Sequence, residues 1–136
     1  MNRSCVGLAM GALVMVAALL AFPSCGFKRQ LVSITINPSG ANIIGPGVEV
    51  DFQAYGNYIH PPDSKNITNS VVWMSAAPEV ISIVSNTGVA TSGAVCGTNI
   101  TITATAYSDP QNQTGSVVVG TAAVTVTQTS TTPPIC

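Results

Sequence analysis

Along most of the chain apolar and polar residues alternate one for one. The clearest run sets Val48, Val50, Phe52 and Ala54 against Glu49, Asp51, Gln53 and Tyr55. A period of two puts each set on its own face of a strand, so the first set predicts a buried face and the second a wet one. Residues 31–37 behave likewise, with Val32, Ile34 and Ile36 expected inside and Ser33, Thr35 and Asn37 outside, before Pro38-Ser39-Gly40 ends the strand. In residues 71–90, Val71 shares a side with Trp73 while Val72 and Met74 take the other. Ile81 and Ile83 point inward from the next strand, Asn86-Thr87-Gly88 turns the chain, and Val89 points inward after it. Ile100, Ile102, Ala104 and Ala106 then alternate with Thr101, Thr103, Thr105 and Tyr107. A short strand is expected at 117–119, and a last one whose inner face is Ala122, Val124 and Val126. The pattern predicts an all-β chain of about seven strands over residues 31–127, which must bury its apolar faces against each other as a two-sheet sandwich.

One segment, residues 56–69, has no such pattern and is expected to be a long loop. It carries Tyr58, His60, Pro61-Pro62, Asp63 and Lys65. Binding residues concentrate on loops, which makes Tyr58, His60 and Lys65 the candidate ligand-facing side chains. His60 beside Asp63 is at most half of a metal site, since zinc takes three or four ligands. No metal and no cofactor are expected. Glu49 and Asp51 fall on a solvent face, where solvated charge is the plainer reading than acid–base chemistry.

The N-terminus reads as an address. Arg3 precedes an uncharged apolar run, residues 6–22, at the short end for a membrane-spanning helix and suited to a secretory signal. Ala21-Phe22-Pro23-Ser24-Cys25-Gly26 resembles the lipobox of bacterial lipoproteins. That resemblance implies a signal peptide over 1–24, thioether attachment of diacylglycerol at Cys25, and Cys25 as the new N-terminus, followed by a polar tether over 25–30. Gly26 resembles the residue of lipoproteins sent on to the outer membrane in hosts with two membranes. An ordinary signal peptide that leaves Cys25 a free thiol, or an uncleaved anchor, stays open. Residues 128–136 form a Thr/Pro-rich tail ending in Cys136. In an exported protein Cys96 and Cys136 invite a disulfide, worth about 4 kcal/mol on the loop-entropy account; the alternative leaves Cys96 semi-buried and Cys136 open to pairing between chains.

The order Trp73-Met-Ser75, then Pro78-Glu-Val-Ile-Ser-Ile-Val-Ser85, then Asn86-Thr-Gly-Val-Ala90 is similar to the middle of bacterial immunoglobulin-like group 2 domains. Gly97-Thr-Asn-Ile-Thr-Ile-Thr-Ala104 resembles that family's Gly-Thr-x-x-Ile-x-Ala segment. The resemblance implies an immunoglobulin-like Greek-key sandwich in which Trp73 fills the space between two sheets. It also implies a role in structure or adhesion, as relatives occur in surface adhesins and as modules of large exported proteins.

Composition narrows the function classes further. Charged residues are 7 % of the chain, against about a quarter in ordinary globular proteins. Beyond Cys25 there are only Lys28, Arg29 and Lys65 to set against five carboxylates, so no basic field exists for nucleic acid. A single His, no nucleophile elbow and no phosphate loop argue against an enzyme. Three Asn-x-Thr sequons, at Asn66, Asn99 and Asn112, read as chance matches in an Asn/Thr-rich chain, given the resemblance to a bacterial lipobox. The expectation is an exported, lipid-anchored envelope protein with one immunoglobulin-like domain, held to the membrane through Cys25 and partnered by an envelope protein or a glycan. The alternative is a small carbohydrate- or peptide-binding lipoprotein acting through the 56–69 loop.

Overall fold

The computed structural model of the protein describes residues 28–129. The expected signal peptide, the lipidation site Cys25 and the tail cysteine Cys136 lie outside the described residues. Ten strands follow in chain order: β1 (Gln30–Asn37), β2 (Gly40–Ile44), β3 (Glu49–Asp51), β4 (Gln53–Ile59) and β5 (Asp63–Asn66), then β6 (Val72–Ser75), β7 (Ile81–Ile83), β8 (Val89–Ser92), β9 (Gly97–Asp109) and β10 (Thr114–Thr127). A single 3-10 turn, Thr68–Ser70, joins β5 to β6. β2, β10, β9 and β6 form one sheet in that order, with β2 parallel to β10 and the other pairs antiparallel. β3 and β4 are one run of chain interrupted at Phe52. β3 pairs with β8, which pairs with β7, while β4 stands between β1 and β5. β1 lies across β9 and β10, so the chain is an all-β sandwich.

The alternating faces close the core. Ile34, Ile36, Phe52, Ala54, Ile81, Ile102, Ala104, Val124 and Val126 are all buried in one cluster. Trp73 is 3 % exposed, with its ring centroid 6.4 Å from that of Phe52 and tilted by 40°. Its indole N–H donates to the carbonyl of Thr68 at 2.9 Å, which gives a buried aromatic the polar partner it needs. Glu49 and Asp51 are exposed on β3.

Several expectations are corrected. The register of β1 on β4 shifts between Leu31 and Ser33; an extra residue in a bulge reverses the faces on either side of it. Leu31 is therefore buried and Val32 is 47 % exposed, the opposite of the strict alternation. Residues 117–119 and the last strand are one strand, β10, because Val117 and Val119 continue the pairing of β10 on β9. In β8 the deepest residue is Ala90, with Val89 only half-buried. Residues 56–69 are not a loop. They contain the second half of β4, the turn at His60-Pro61-Pro62, all of β5 and the start of the 3-10 turn. The sequence hides β5 because Asp63–Asn66 is exposed at all four positions, and a strand with no buried face has no apolar period to read.

Candidate functional site

The β4–β5 hairpin places the three candidate ligand residues at one end of the sandwich. Tyr58 pairs opposite both Leu31 on β1 and Asp63 on β5, and Lys65 pairs opposite Gly56. Tyr58 is half-buried and packs on the core. His60 is exposed in the turn, at a positive φ of 60°. What brings chemistry here is Arg29, which the sequence places in a tether. Because Gln30 pairs with Ile59, Arg29 is delivered to the hairpin. Its guanidinium stacks over the Tyr58 ring at 4.2 Å from the centroid, and Nη2 donates to Asp63 Oδ2 at 2.6 Å. Lys65 Nζ lies 3.9 Å from the same oxygen. The Arg29–Asp63 pair is partly exposed, so its contribution to stability is of the order of 1 kcal/mol or less.

Beside this cluster a concavity of about 260 Å³ is lined by Lys28, Arg29, Tyr58 and residues 109–112 of the β9–β10 turn. Asn112 donates from Nδ2 to Asp109 Oδ2 at 2.8 Å and from its backbone N–H to Oδ1 at 3.3 Å. The Asn112 side-chain hydrogen bond is the largest cause holding the Asp109 carboxyl below its ordinary value. Among the described residues no group of three or more His, Cys, Asp and Glu side chains is arranged to hold a metal ion.

A second surface lies on the outer face of the β2–β10–β9–β6 sheet. The register sets Val72, Thr105 and Val119 in one row, Met74, Thr103 and Thr121 in the next, and Tyr107 opposite Val117. Neighbouring strands lie about 4.8 Å apart and successive rows on one face about 6.7 Å, so these side chains form one continuous patch. Met74 is 64 % exposed, Val117 59 %, Val72 57 % and Val119 52 %. Thr103 and Thr105 donate their hydroxyls to the carbonyls of Met74 and Val72, each at 3.3 Å, which satisfies their polar atoms within the sheet. Asp109, at the end of β9, is the only charged residue in the four strands.

The far end of the sandwich is built differently. Ser92 Oγ donates to the Gly45 carbonyl at 2.8 Å and accepts from the Val48 N–H at 2.9 Å, tying down the turn that follows β2. Cys96 is half-buried in the turn before β9 and is not free. Gln128 Nε2 donates to the Gly93 carbonyl at 3.1 Å in the same region.

The sequence singles out Tyr58, His60 and Lys65 as candidates but not Arg29 and Asp109, which the structure places beside them. No local signal marks those two; only the strand register brings them in. The outer patch was readable one residue at a time, since Val72 and Met74 were assigned away from the core, but not as a surface. Compared with known proteins, the chain matches no family model and no curated sequence.

Proposed function

We propose that the protein is a lipid-anchored component of a bacterial cell envelope whose single domain, of the immunoglobulin-like group 2 kind, presents an apolar sheet face to another envelope protein. The observation that carries this reading is the outer patch of Val72, Met74, Val117 and Val119. A partner that meets it flat needs its own uncharged, largely apolar face, because a charge stranded on this surface would lose water and gain no counter-charge. The role is structural or adhesive, with no chemistry performed.

The lipobox resemblance supplies the anchor at Cys25, and chain geometry supports a division of labour among the cysteines. Val126 pairs with Gly97, so Cys96 stands next to the end of β10, and the residues from Val126 to Cys136 have ample reach to return to it. Cys25 does not have that reach. Lys28 lines the concavity beside Asp109, at the opposite end of the 13-residue strand β9, about 40 Å from Gly97 at ~3.3 Å per residue. The three residues from Cys25 to Lys28 span at most about 11 Å. Cys96 with Cys136 and Cys25 with lipid is the assignment we adopt.

Two measurements test the proposal. Intact mass of the membrane-extracted protein should equal residues 25–136 plus acyl-glycerol, and should rise by about two hydrogens on reduction. A photo-crosslinking residue at Met74 or Val119 in intact cells should give a discrete envelope-protein adduct that the same residue at Glu49 does not. Adducts equal at all three positions, or none, would refute the partner face. A second reading, a carbohydrate or peptide bound by the hairpin, is favoured by the concavity under Arg29 and Tyr58. It requires glycan or peptide binding that is lost on Tyr58→Ala.

A further inference from the structure

The charges of the described residues are sorted along the long axis of the sandwich. All three cations sit at the end where β1 begins. Lys28 and Arg29 border the β9–β10 turn, and Lys65 lies on the β4–β5 hairpin. Asp63 and Asp109 share that end, each held by partners already described. The other three carboxylates, Glu49, Asp51 and Glu79, lie toward the opposite end. Glu49 and Asp51 pair with Thr91 and Val89 on β8, and Glu79 lies against Gly93, just beyond β8. One end therefore carries a small positive excess and the other is purely negative.

The anchor meets the positive end. On the reading that Cys25 carries lipid, only three residues separate the membrane from Lys28, so this end is held within about 11 Å of the bilayer surface. That distance is close to the Debye length of about 8–10 Å at physiological salt, so Lys28 and Lys65 are inside the field of the headgroups. A domain on so short a tether can stand on its basic end or lie on its side. Lying down brings Glu49, Asp51 and Glu79 into the same field, which repels them on an anionic leaflet.

We propose that the end formed by Lys28, Arg29, Lys65 and the β9–β10 turn rests on anionic lipid headgroups, with the domain standing upright and its acidic end outward. Lys28 and Lys65 make the contact: Arg29 donates to Asp63 at 2.6 Å and covers the Tyr58 ring, whereas Lys65 Nζ stands 3.9 Å from that carboxylate, too far for a hydrogen bond. Upright standing leaves the apolar sheet face perpendicular to the membrane and open to a neighbour. It also turns the Tyr58–His60 hairpin toward the lipid, away from any soluble ligand.

The test uses the mature acylated protein in vesicles of phosphatidylcholine alone and of phosphatidylcholine with about one-third phosphatidylglycerol, with amine acetylation and carboxylate labelling read by mass spectrometry. Flotation with the neutral vesicles and the acyl mass report the anchor. Acetylation of Lys28 and Lys65 should fall about fivefold in the anionic vesicles relative to the neutral ones, the preference expected of a basic side chain near an anionic surface. Glu49, Asp51 and Glu79 should label equally in both, and about 0.5 M salt should restore the lysines. Acylated protein whose lysines label alike in both vesicles, or whose distal carboxylates become protected, overturns the orientation alone. Protein without acyl mass that fails to float overturns the anchor and the orientation with it.

Discussion

Replacing Gly88 by Ala separates two effects that usually arrive together. Gly88 has a φ of +77°, and Gly47 has a φ of +73°. For an L-residue that region costs about 1–2 kcal/mol, offset by about 0.4–1 kcal/mol from the reduced freedom of the unfolded chain. At Gly47 a methyl group would meet nothing within 4 Å, so Gly47→Ala should cost about 1 kcal/mol or less. At Gly88 the methyl would press on the carbonyl oxygen of Phe52, a backbone atom, and lie 3.1 Å from the Trp73 ring. The strands must part there, and the hydrogen bond from Phe52 N–H to the Gly88 carbonyl, 2.9 Å long, is strained or lost. Leaving that buried N–H unpaired adds about 1–3 kcal/mol, for a total of about 2–4 kcal/mol. Trp73 is the only tryptophan and is buried, so urea unfolding followed by its fluorescence reports both variants. With a slope of about 1–3 kcal/mol per molar urea, common to both variants, the midpoint of Gly88→Ala should fall by at least about twice as much as that of Gly47→Ala, whose loss should be about 1 M or less. Equal losses would show that backbone strain is the whole effect and that the close approach of Gly88 to Phe52 is absent.

Three further outcomes are expected. Trp73→Ala should destabilise by about 3–5 kcal/mol through the cavity it leaves, and Trp73→Phe by less but measurably, since the Thr68 carbonyl loses its donor; thermal unfolding by far-UV circular dichroism checks both. Asp109 has a depressed carboxyl, so its contribution is present above the ordinary value of about 3.8 and is lost as pH falls below that through the folded-state value. Carboxyl chemical shifts should place its midpoint below the ordinary value of about 3.8, and Asp109→Asn should remove its part of the acid-side loss of stability. Cys96→Ser in the oxidised protein should cost about 4 kcal/mol if Cys96 closes a loop with Cys136; the same loss on adding reductant to the native protein, and none in the variant, identifies the bond.

The alternation of Val50, Phe52 and Ala54 with Glu49, Asp51 and Gln53, and of Ile102 and Ala104 with Thr101 and Thr103, was enough by itself to make the chain all-β and to choose most of the core. Burial on one side of a pleated strand can be satisfied in no other way. The same logic put Trp73 inside and Val72 and Met74 outside. It failed where a single residue changed the phase, as at the Leu31–Ser33 bulge, and where no face was buried, as in β5. Tyr58, His60 and Lys65 stood out as chemistry-bearing residues, but what surrounds them did not. Arg29 reaches Tyr58 and Asp63 only because β1 pairs with β4 in one register, and Asp109 is brought beside Lys28 only by how β9 and β10 lie against β1. Likewise the sequence determined how few charges there are, whereas their sorting toward opposite ends depends on strand direction. Such proximities are long-range consequences of pairing, and a local period carries no information about which strand lies next to which.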